Sequence, residues 1–146
     1  MRISRAFNQS EGVLELKEGL YNVTLKKPYE KEIHGEIVIR FPFTVDGFVG
    51  KIKPFYFYLI KSQAYIEELK RERFNYFAMS IRKCFDVILP FEKKYYEHWE
   101  GKKGRVLIAK HENGRNGVVF FVKNNNLTEE RRKIIENIDF YMYKQQ

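Results

Sequence analysis

The strongest constraint on the fold is a segment in which apolar and mostly polar side chains alternate. One side of this segment is entirely apolar and consists of Ile37, Ile39, Phe41, Phe43 and Val45. The other side consists of Glu36, Val38, Arg40, Pro42 and Thr44. Because successive side chains of a β-strand point to opposite faces, the pattern predicts a strand with one buried face. Pro42 has no backbone donor, so we expect this strand to lie at an edge or to be bulged there.

Two further extended segments flank this strand. Residues 20–29 also alternate, which predicts a half-buried strand that follows a turn at Gly19. The Asp46-Gly47 dipeptide predicts a two-residue hairpin turn. A third strand is then expected within residues 48–60, where aromatic residues occupy both faces.

The period of the apolar residues changes in the second half of the chain. Between Ile66 and Ile88 they recur at helical spacings, which predicts an amphipathic helix that ends before Pro90. Two short strands are expected at residues 105–111 and 118–123, joined by a turn rich in Asn and Gly. A final helix is expected after an N-cap at Thr128 or Asn126.

The order of these elements indicates the fold class. Three meandering strands, a helix and a closing hairpin follow one another in the OB fold, a five-stranded barrel. We therefore predict a mostly-β, α+β protein: a five-stranded OB-like barrel over residues 18–123 with a helix between strands 3 and 4. Residues 124–146 would form a C-terminal helical extension. A chain of 146 residues suits one domain.

The basic residues are concentrated in the middle of the chain. The net charge is +8, and residues 61–123 carry 14 of the 27 basic but only 8 of the 19 acidic side chains. This distribution favours a polyanionic partner. The one cysteine, Cys84, fits a reducing compartment and is expected to be a buried, inert thiol. No signal peptide or membrane-spanning run is visible, so we expect a cytoplasmic protein that does not contact membranes.

Three short motifs begin or join the predicted strands. They are Glu18-Gly19-Leu20-Tyr21-Asn22-Val23, Gly35 to Ile39 followed by Val45-Asp46-Gly47, and Trp99-Glu100-Gly101-Lys102-Lys103-Gly104-Arg105-Val106. Together they resemble the small single-stranded-DNA-binding proteins of phage replication modules, over roughly residues 18–123. The resemblance implies an OB fold and single-strand binding during replication or recombination of a phage or mobile element.

Single-strand binding requires rings on which bases stack and cations along a groove. Tyr56 and Tyr58 share one side of the third extended segment, and Arg40 points outward from the neighbouring strand. Lys51 and Lys53 lie just before the aromatic run. We predict that these five residues contact the strand. The alternative for Tyr56 and Tyr58 is that they pack beneath the C-terminal helix.

A second group of candidate contacts lies near the fourth and fifth strands. Trp99 is followed closely by Lys102, Lys103 and Arg105, and Arg115 lies in the last hairpin. The tryptophan would stack on a base and the cations would contact phosphates. The alternative for Trp99 is that it closes the bottom of the barrel as a core residue.

No catalytic site, cofactor site or metal site is predicted. With three histidines and one cysteine, the chain has no zinc-type ligand spacing. Asp86, Glu92 and Lys94 only faintly resemble the acidic–basic core of metal-dependent nucleases. No phosphate-binding loop or nucleophile elbow is present, so we expect that the protein is not an enzyme.

The leading hypothesis is therefore a sequence-tolerant binder of single-stranded DNA. The alternative is a phage-encoded protein-interaction module that inhibits or recruits a host protein, and a nuclease ranks third. The sequence does not decide whether the ligand is DNA or RNA, or whether the protein is a monomer or a homo-oligomer. A replication protein or a host protein is a further candidate partner.

Overall fold

The computed structural model describes residues 7–8, 13–14, 16–47, 55–60, 68–112 and 114–143. The strands are β1 (Phe7–Asn8), β2 (Val13–Leu14), β3 (Gly19–Leu25), β4 (Tyr29–Ile33), β5 (Glu36–Val45), β6 (Phe55–Ile60), β7 (Lys103–Lys110) and β8 (Asn116–Val122). The helices are α1 (Glu68–Phe85), a 3-10 helix (Lys93–His98) and α2 (Glu129–Tyr143). Strands β1 and β2 pair with each other, and the other six form one antiparallel sheet. The predicted mostly-β, α+β class is confirmed.

Strand β5 organises the sheet because it pairs with three other strands. Its end pairs with β3 and its beginning with β4, while β6 pairs along its opposite side. The strand order is β4-β5-β3-β7-β8, and β6 joins the sheet off this path by pairing with β5. No backbone pairing joins β6 to β8 within the described ranges, so these pairings give an open sheet.

The segment predicted as one strand over residues 20–29 is divided. Leu25 in β3 pairs with Phe43, and Tyr29 in β4 pairs with Arg40. Between these two pairs the chain advances by four residues from Leu25 to Tyr29, but β5 advances by only three residues from Phe43 to Arg40. The extra residue makes a β-bulge, which bends the strand. The bulge lies beside Pro42, whose carbonyl accepts a hydrogen bond from the Lys26 amide at 2.8 Å.

The two-residue hairpin predicted at Asp46-Gly47 is wrong. Such a turn would set Phe43 opposite the residue at position 50, whereas Phe43 pairs with Phe55 of β6. A tight two-residue turn occurs instead between β4 and β5, at His34-Gly35. Both residues have positive φ, 52° and 81°, as a type I′ turn requires.

The core lies between the inner face of the sheet, α1 and the 3-10 helix. Phe41 is at its centre: its ring stacks on Phe57 at 5.0 Å and meets the edges of Phe91 and Trp99, both at 5.6 Å. Phe57 of β6 also contacts Phe121 of β8, edge to face, at 4.7 Å. Aromatic contacts of this geometry add stability beyond the area that they bury.

Helix α1 is held tightly against strand β7. Gly104 lies so close to α1 that an added Cβ atom would be 2.7 Å from both Cys84 Sγ and the Phe85 ring. The Cys84 thiol donates a hydrogen bond to the Arg105 carbonyl at 3.4 Å. Burial raises the pKa of this thiol to about 11, so it has little thiolate character at neutral pH. The expected buried thiol is confirmed.

Helix α2 packs on α1 rather than on the sheet. Its N-cap is Thr128, as predicted, whose hydroxyl accepts a hydrogen bond from the Arg131 amide at 3.1 Å. Ion pairs join the two helices: Lys83 to Glu136 at 2.8 Å and Arg131 to Asp86 at 2.7 Å. The C-terminal helix is therefore attached through α1 to the inner side of the sheet.

Candidate nucleic-acid interface

The outer face of the sheet carries a cation between two tyrosines. From Ile39 to Val45 the odd-numbered residues of β5 are buried, so Arg40 faces outward. Before them the predicted alternation fails, since Ile37 is 46% exposed and Val38 is buried. Arg40 pairs directly with Tyr29 of β4 on one side and with Tyr58 of β6 on the other. We call these three residues the Arg40 row. They place two aromatic rings and one guanidinium side by side across three strands.

The two rings of the Arg40 row are accessible to solvent. Tyr58 is 55% exposed and Tyr29 is 43% exposed, while Arg40 is half-buried between them. The guanidinium Nη1 donates a weak hydrogen bond to the Tyr29 hydroxyl at 3.4 Å. Neighbouring strands are about 4.8 Å apart, so each ring lies within side-chain reach of the cation. A planar base could stack on either ring while its phosphate contacts the arginine.

A second group of cations lies on the same outer face, on β7. Lys103 pairs with Thr24 and donates to its hydroxyl at 2.9 Å. Its ammonium is also 3.5 Å from Asp46. Arg105 pairs with Asn22 and donates to its side-chain oxygen at 3.2 Å. These exposed bonds compete with water and cost little to exchange for a phosphate.

Strand β5 connects these cations to the Arg40 row. Thr24 pairs with Thr44 of β5, and Thr44 lies four residues from Arg40 on the same face. Four residues of extended chain span about 13 Å. The outer face thus offers cations at both ends of one stretch of β5, with rings at one end.

The placement of Trp99 in the interface is wrong. Its side chain is 0% exposed and packs against Phe41 and Phe91, at 5.6 and 5.3 Å. A base cannot reach a ring that is enclosed on both faces. Trp99 takes the core role that we kept as the alternative, because the turn after the 3-10 helix directs it inward.

Of the five remaining predicted contacts, the structure describes the side chains of Lys102 and Arg115. Lys102 lines a cleft beside the 3-10 helix, away from the adjacent residue Lys103. Arg115 is exposed in the turn before β8, where its carbonyl accepts a hydrogen bond from the His111 amide at 2.9 Å. Lys51, Lys53 and the side chain of Tyr56 lie outside the described residues.

Sequence reasoning missed Tyr29 because it ended the first strand there. The signal in the next residues was weak, since Tyr29, Lys31 and Ile33 alternate with two glutamates but share no apolar character. In the structure Lys31 is exposed and pairs with Val38, two residues along β5 from Arg40. It adds a cation to the outer face beside the Arg40 row.

An apolar row also crosses the outer face. Leu20, Leu107 and Phe120 occupy directly paired positions on β3, β7 and β8. Leu20 is 58% exposed and Phe120 is 51% exposed. Exposed apolar side chains that line up across strands are typical of surfaces that meet another molecule.

Metal-binding clusters and membrane-spanning helices are absent from the described residues. No group of three or more His, Cys, Asp or Glu side chains that could hold a metal ion occurs there. No helix in that part of the chain has the length and apolar character needed to cross a membrane. Asp86, one of the three residues that resembled a nuclease core, accepts a hydrogen bond from Arg131 at 2.7 Å.

No protein-family model and no curated protein matches this chain. The candidate interface is defined by its geometry: it consists of the rings and cations that share the outer face of the sheet.

Proposed function

We propose that this protein binds single-stranded DNA, with little preference for sequence, on the outer face of a five-stranded OB barrel. The barrel would comprise β3 with β4 as one bent strand, then β5, β6, β7 and β8. The proposed setting is the cytoplasm, during replication or recombination of a phage or mobile element.

Three features support the barrel. The pairing order β6-β5-β3-β7-β8 is the order in which an OB fold arranges its strands. Helix α1 lies in the chain between β6 and β7, where that fold places its helix. Phe57 and Phe121 bring the two terminal strands into contact at 4.7 Å, which favours closure at that point.

The observation that carries the proposed function is the Arg40 row. Two exposed tyrosines flank an arginine at directly paired positions. Arg40 and Tyr58 lie on β5 and β6, which would be strands 2 and 3 of the barrel, the strands that form the binding face of OB folds. Each ring can stack on any base, since every base has a π-face, and each stack contributes about 1–3 kcal/mol. The arginine supplies a phosphate contact that is likewise independent of sequence.

The test is a titration of a fluorescent oligothymidine at two salt concentrations, read by anisotropy. We expect log K to fall with log salt at a slope of about −0.7 for each phosphate contacted. Arg40→Gln should weaken binding and reduce that slope by about 0.7. Lys133→Gln, at an exposed position on α2, is the matched control and should bind as the parent does. Parallel titration of oligouridine compares DNA with RNA.

Absence of binding at about 50 mM salt, where such contacts are strong, would overturn the proposal. Equal weakening by Lys133→Gln and Arg40→Gln would also contradict it, because binding would then depend only on total charge.

The apolar row favours a second candidate function, a module that inhibits or recruits a host protein. Leu20, Leu107 and Phe120 would then anchor an interface, with the neighbouring cations meeting an acidic partner. The test is co-purification from a nuclease-treated host extract. A single host protein retained by the parent and lost with Phe120→Ser would support this candidate over strand binding.

A further inference from the structure

A cleft of about 370 Å³ lies where the end of α1, the 3-10 helix and the beginning of α2 meet. Its charged and aromatic lining residues are Asp86, Tyr95, His98, Lys102 and Arg131. Loop residues after α1 complete the wall. None of these residues belongs to the Arg40 row or to the apolar row, so the cleft is a separate feature of the molecule.

The one carboxylate in the described lining of the cleft is already neutralised. Arg131 Nε donates to Asp86 Oδ1 at 2.7 Å, and Arg131 Nη2 donates to the Asp86 carbonyl at 3.2 Å. Asp86 has a positive φ of 57°, because it terminates α1 in the left-handed conformation. This conformation turns its carbonyl toward Arg131 and fixes the guanidinium at the wall of the cleft.

Three other polar groups around the cleft are uncommitted. The side chains of Tyr95, His98 and Lys102 form no hydrogen bond with any residue in the described part of the chain. Each can donate: the phenol once, the imidazole once or twice, and the ammonium three times. The cleft therefore presents one cation that is unpaired among the described residues, Lys102, and two further donors, beside the Arg131–Asp86 ion pair.

We propose that this cleft binds a phosphate monoester, such as the terminal phosphate of a nucleotide. Lysine and arginine form charge-assisted hydrogen bonds with phosphate that are about twice as strong as neutral ones. The volume lies near the lower end of ligand sites, about 300–1,000 Å³, which suits a mononucleotide rather than a peptide. The Tyr95 ring gives the nucleoside an aromatic surface.

The phosphate can come from a free nucleotide or from the phosphorylated end of a strand. Both present the same chemistry to Lys102 and Arg131. The inference does not rest on strand binding by the Arg40 row, and the two sites are tested with separate variants.

The experiment is isothermal titration of the full chain with a nucleoside 5′-monophosphate and with the same nucleoside lacking phosphate. We expect the monophosphate to bind and the nucleoside to bind at least tenfold more weakly. Lys102→Gln removes a charged donor and should weaken monophosphate binding about tenfold or more. Lys93→Gln changes an exposed lysine of the same 3-10 helix outside the cleft, so it should leave the affinity unchanged.

Two results would overturn the inference: equal binding of nucleoside and monophosphate, or equal weakening by Lys93→Gln and Lys102→Gln. Arg40→Gln should leave monophosphate binding intact, which separates this site from the proposed strand interface. Titration with oligonucleotides that differ only in a 5′-phosphate identifies the source. Tighter binding of the phosphorylated oligonucleotide than of the unphosphorylated one, lost with Lys102→Gln, assigns the cleft to strand ends, and equal binding of the two assigns it to free nucleotides.

Discussion

The aromatic cluster inside the sheet and the Arg40 row outside it belong to the same strands but have opposite surroundings. Phe57 contacts Phe41 and Phe121 within the core, whereas the next residue, Tyr58, is 55% exposed. Inside, rings are enclosed by other rings and hold elements together. Outside, rings stand beside a guanidinium and leave one face open to solvent.

This contrast shows that position on a strand decides what a ring does, more than its chemical type. The chain has 13 Phe, 10 Tyr and 1 Trp, and most of these could stack on a base if they were accessible. The alternation of β5 and β6 sorts them, so substitutions one residue apart should affect different properties: stability for inward residues and ligand affinity for outward ones.

The largest effect is expected for Trp99→Ala. Removing a fully buried aromatic side chain from the core should lower the free energy of unfolding by about 3–5 kcal/mol. Chemical denaturation followed by far-UV circular dichroism measures this loss. Trp99→Phe keeps most of the packing and should bind oligothymidine as tightly as the parent. If Trp99→Phe is stable but binds the strand more weakly than the parent does, Trp99 takes part in strand binding.

Gly104→Ala should reduce stability by about 1–3 kcal/mol, because its Cβ atom would overlap Cys84 and Phe85. The adjacent outward residue provides the comparison: Arg105→Ala should change the unfolding free energy by less than about 0.5 kcal/mol. Both are measured by urea denaturation. Equal losses of unfolding free energy at the two positions would contradict the assignment of Gly104 to the face of β7 packed on α1 and of Arg105 to the exposed face.

Tyr58→Ala should weaken strand binding by about 1–3 kcal/mol, roughly 5- to 150-fold, with little change in melting temperature. Tyr76→Ala is the matched control, since Tyr76 is also an exposed tyrosine but lies on helix α1 and not on a strand of the sheet. Anisotropy titration measures both. If Tyr76→Ala weakens binding as much as Tyr58→Ala, the Arg40 row has no special role.

The smallest effect concerns the contacts between the two helices. Hydrogen bonds from Lys83 and then from Arg132 hold the pKa of Glu136 below its ordinary value. A carboxyl group whose pKa is lowered by folding stabilises the protein at pH values above its ordinary pKa. This stability is lost as the pH falls through the pKa of the folded state. Glu136→Gln should therefore lower the melting temperature by a few degrees at pH 7, and the difference should shrink below about pH 4.

Glu32→Gln, at an exposed position on β4 with no ion pair among the described residues, is the control for the pH experiment. Its melting temperature should follow that of the parent at every pH. A Glu136→Gln difference that stays constant down to acidic pH would show that the carboxylate is not the source of the effect.

Local sequence patterns were sufficient to predict those elements that depend on interactions between nearby residues. The alternation around Phe41 gave β5 its inward and outward faces, and Thr128 marked the start of α2. Arg40 could be assigned to the outer face for the same reason, whereas for Tyr58 a position beneath the C-terminal helix stayed open. In each case the decisive interaction lies within a few residues or follows from strand geometry.

Long-range pairing explains what the sequence did not reveal. Asp46-Gly47 has the composition of a hairpin turn, but Phe43 pairs with Phe55 rather than with the residue at position 50. The bulge that separates β3 from β4 depends in the same way on pairing with β5. Trp99 follows a short helix in a segment rich in lysine, and its burial depends on Phe41 and Phe91, which lie in other elements.

The environment of Cys84 has a practical consequence for mapping a bound strand. The chain has one thiol, and its tight packing against β7 shields that sulfur from reagents. A cysteine introduced at a surface position would therefore react selectively without any change to the native thiol. Lys31→Cys, beside the Arg40 row, could carry a photo-crosslinker or a spin label that reports the path of an oligonucleotide across the sheet.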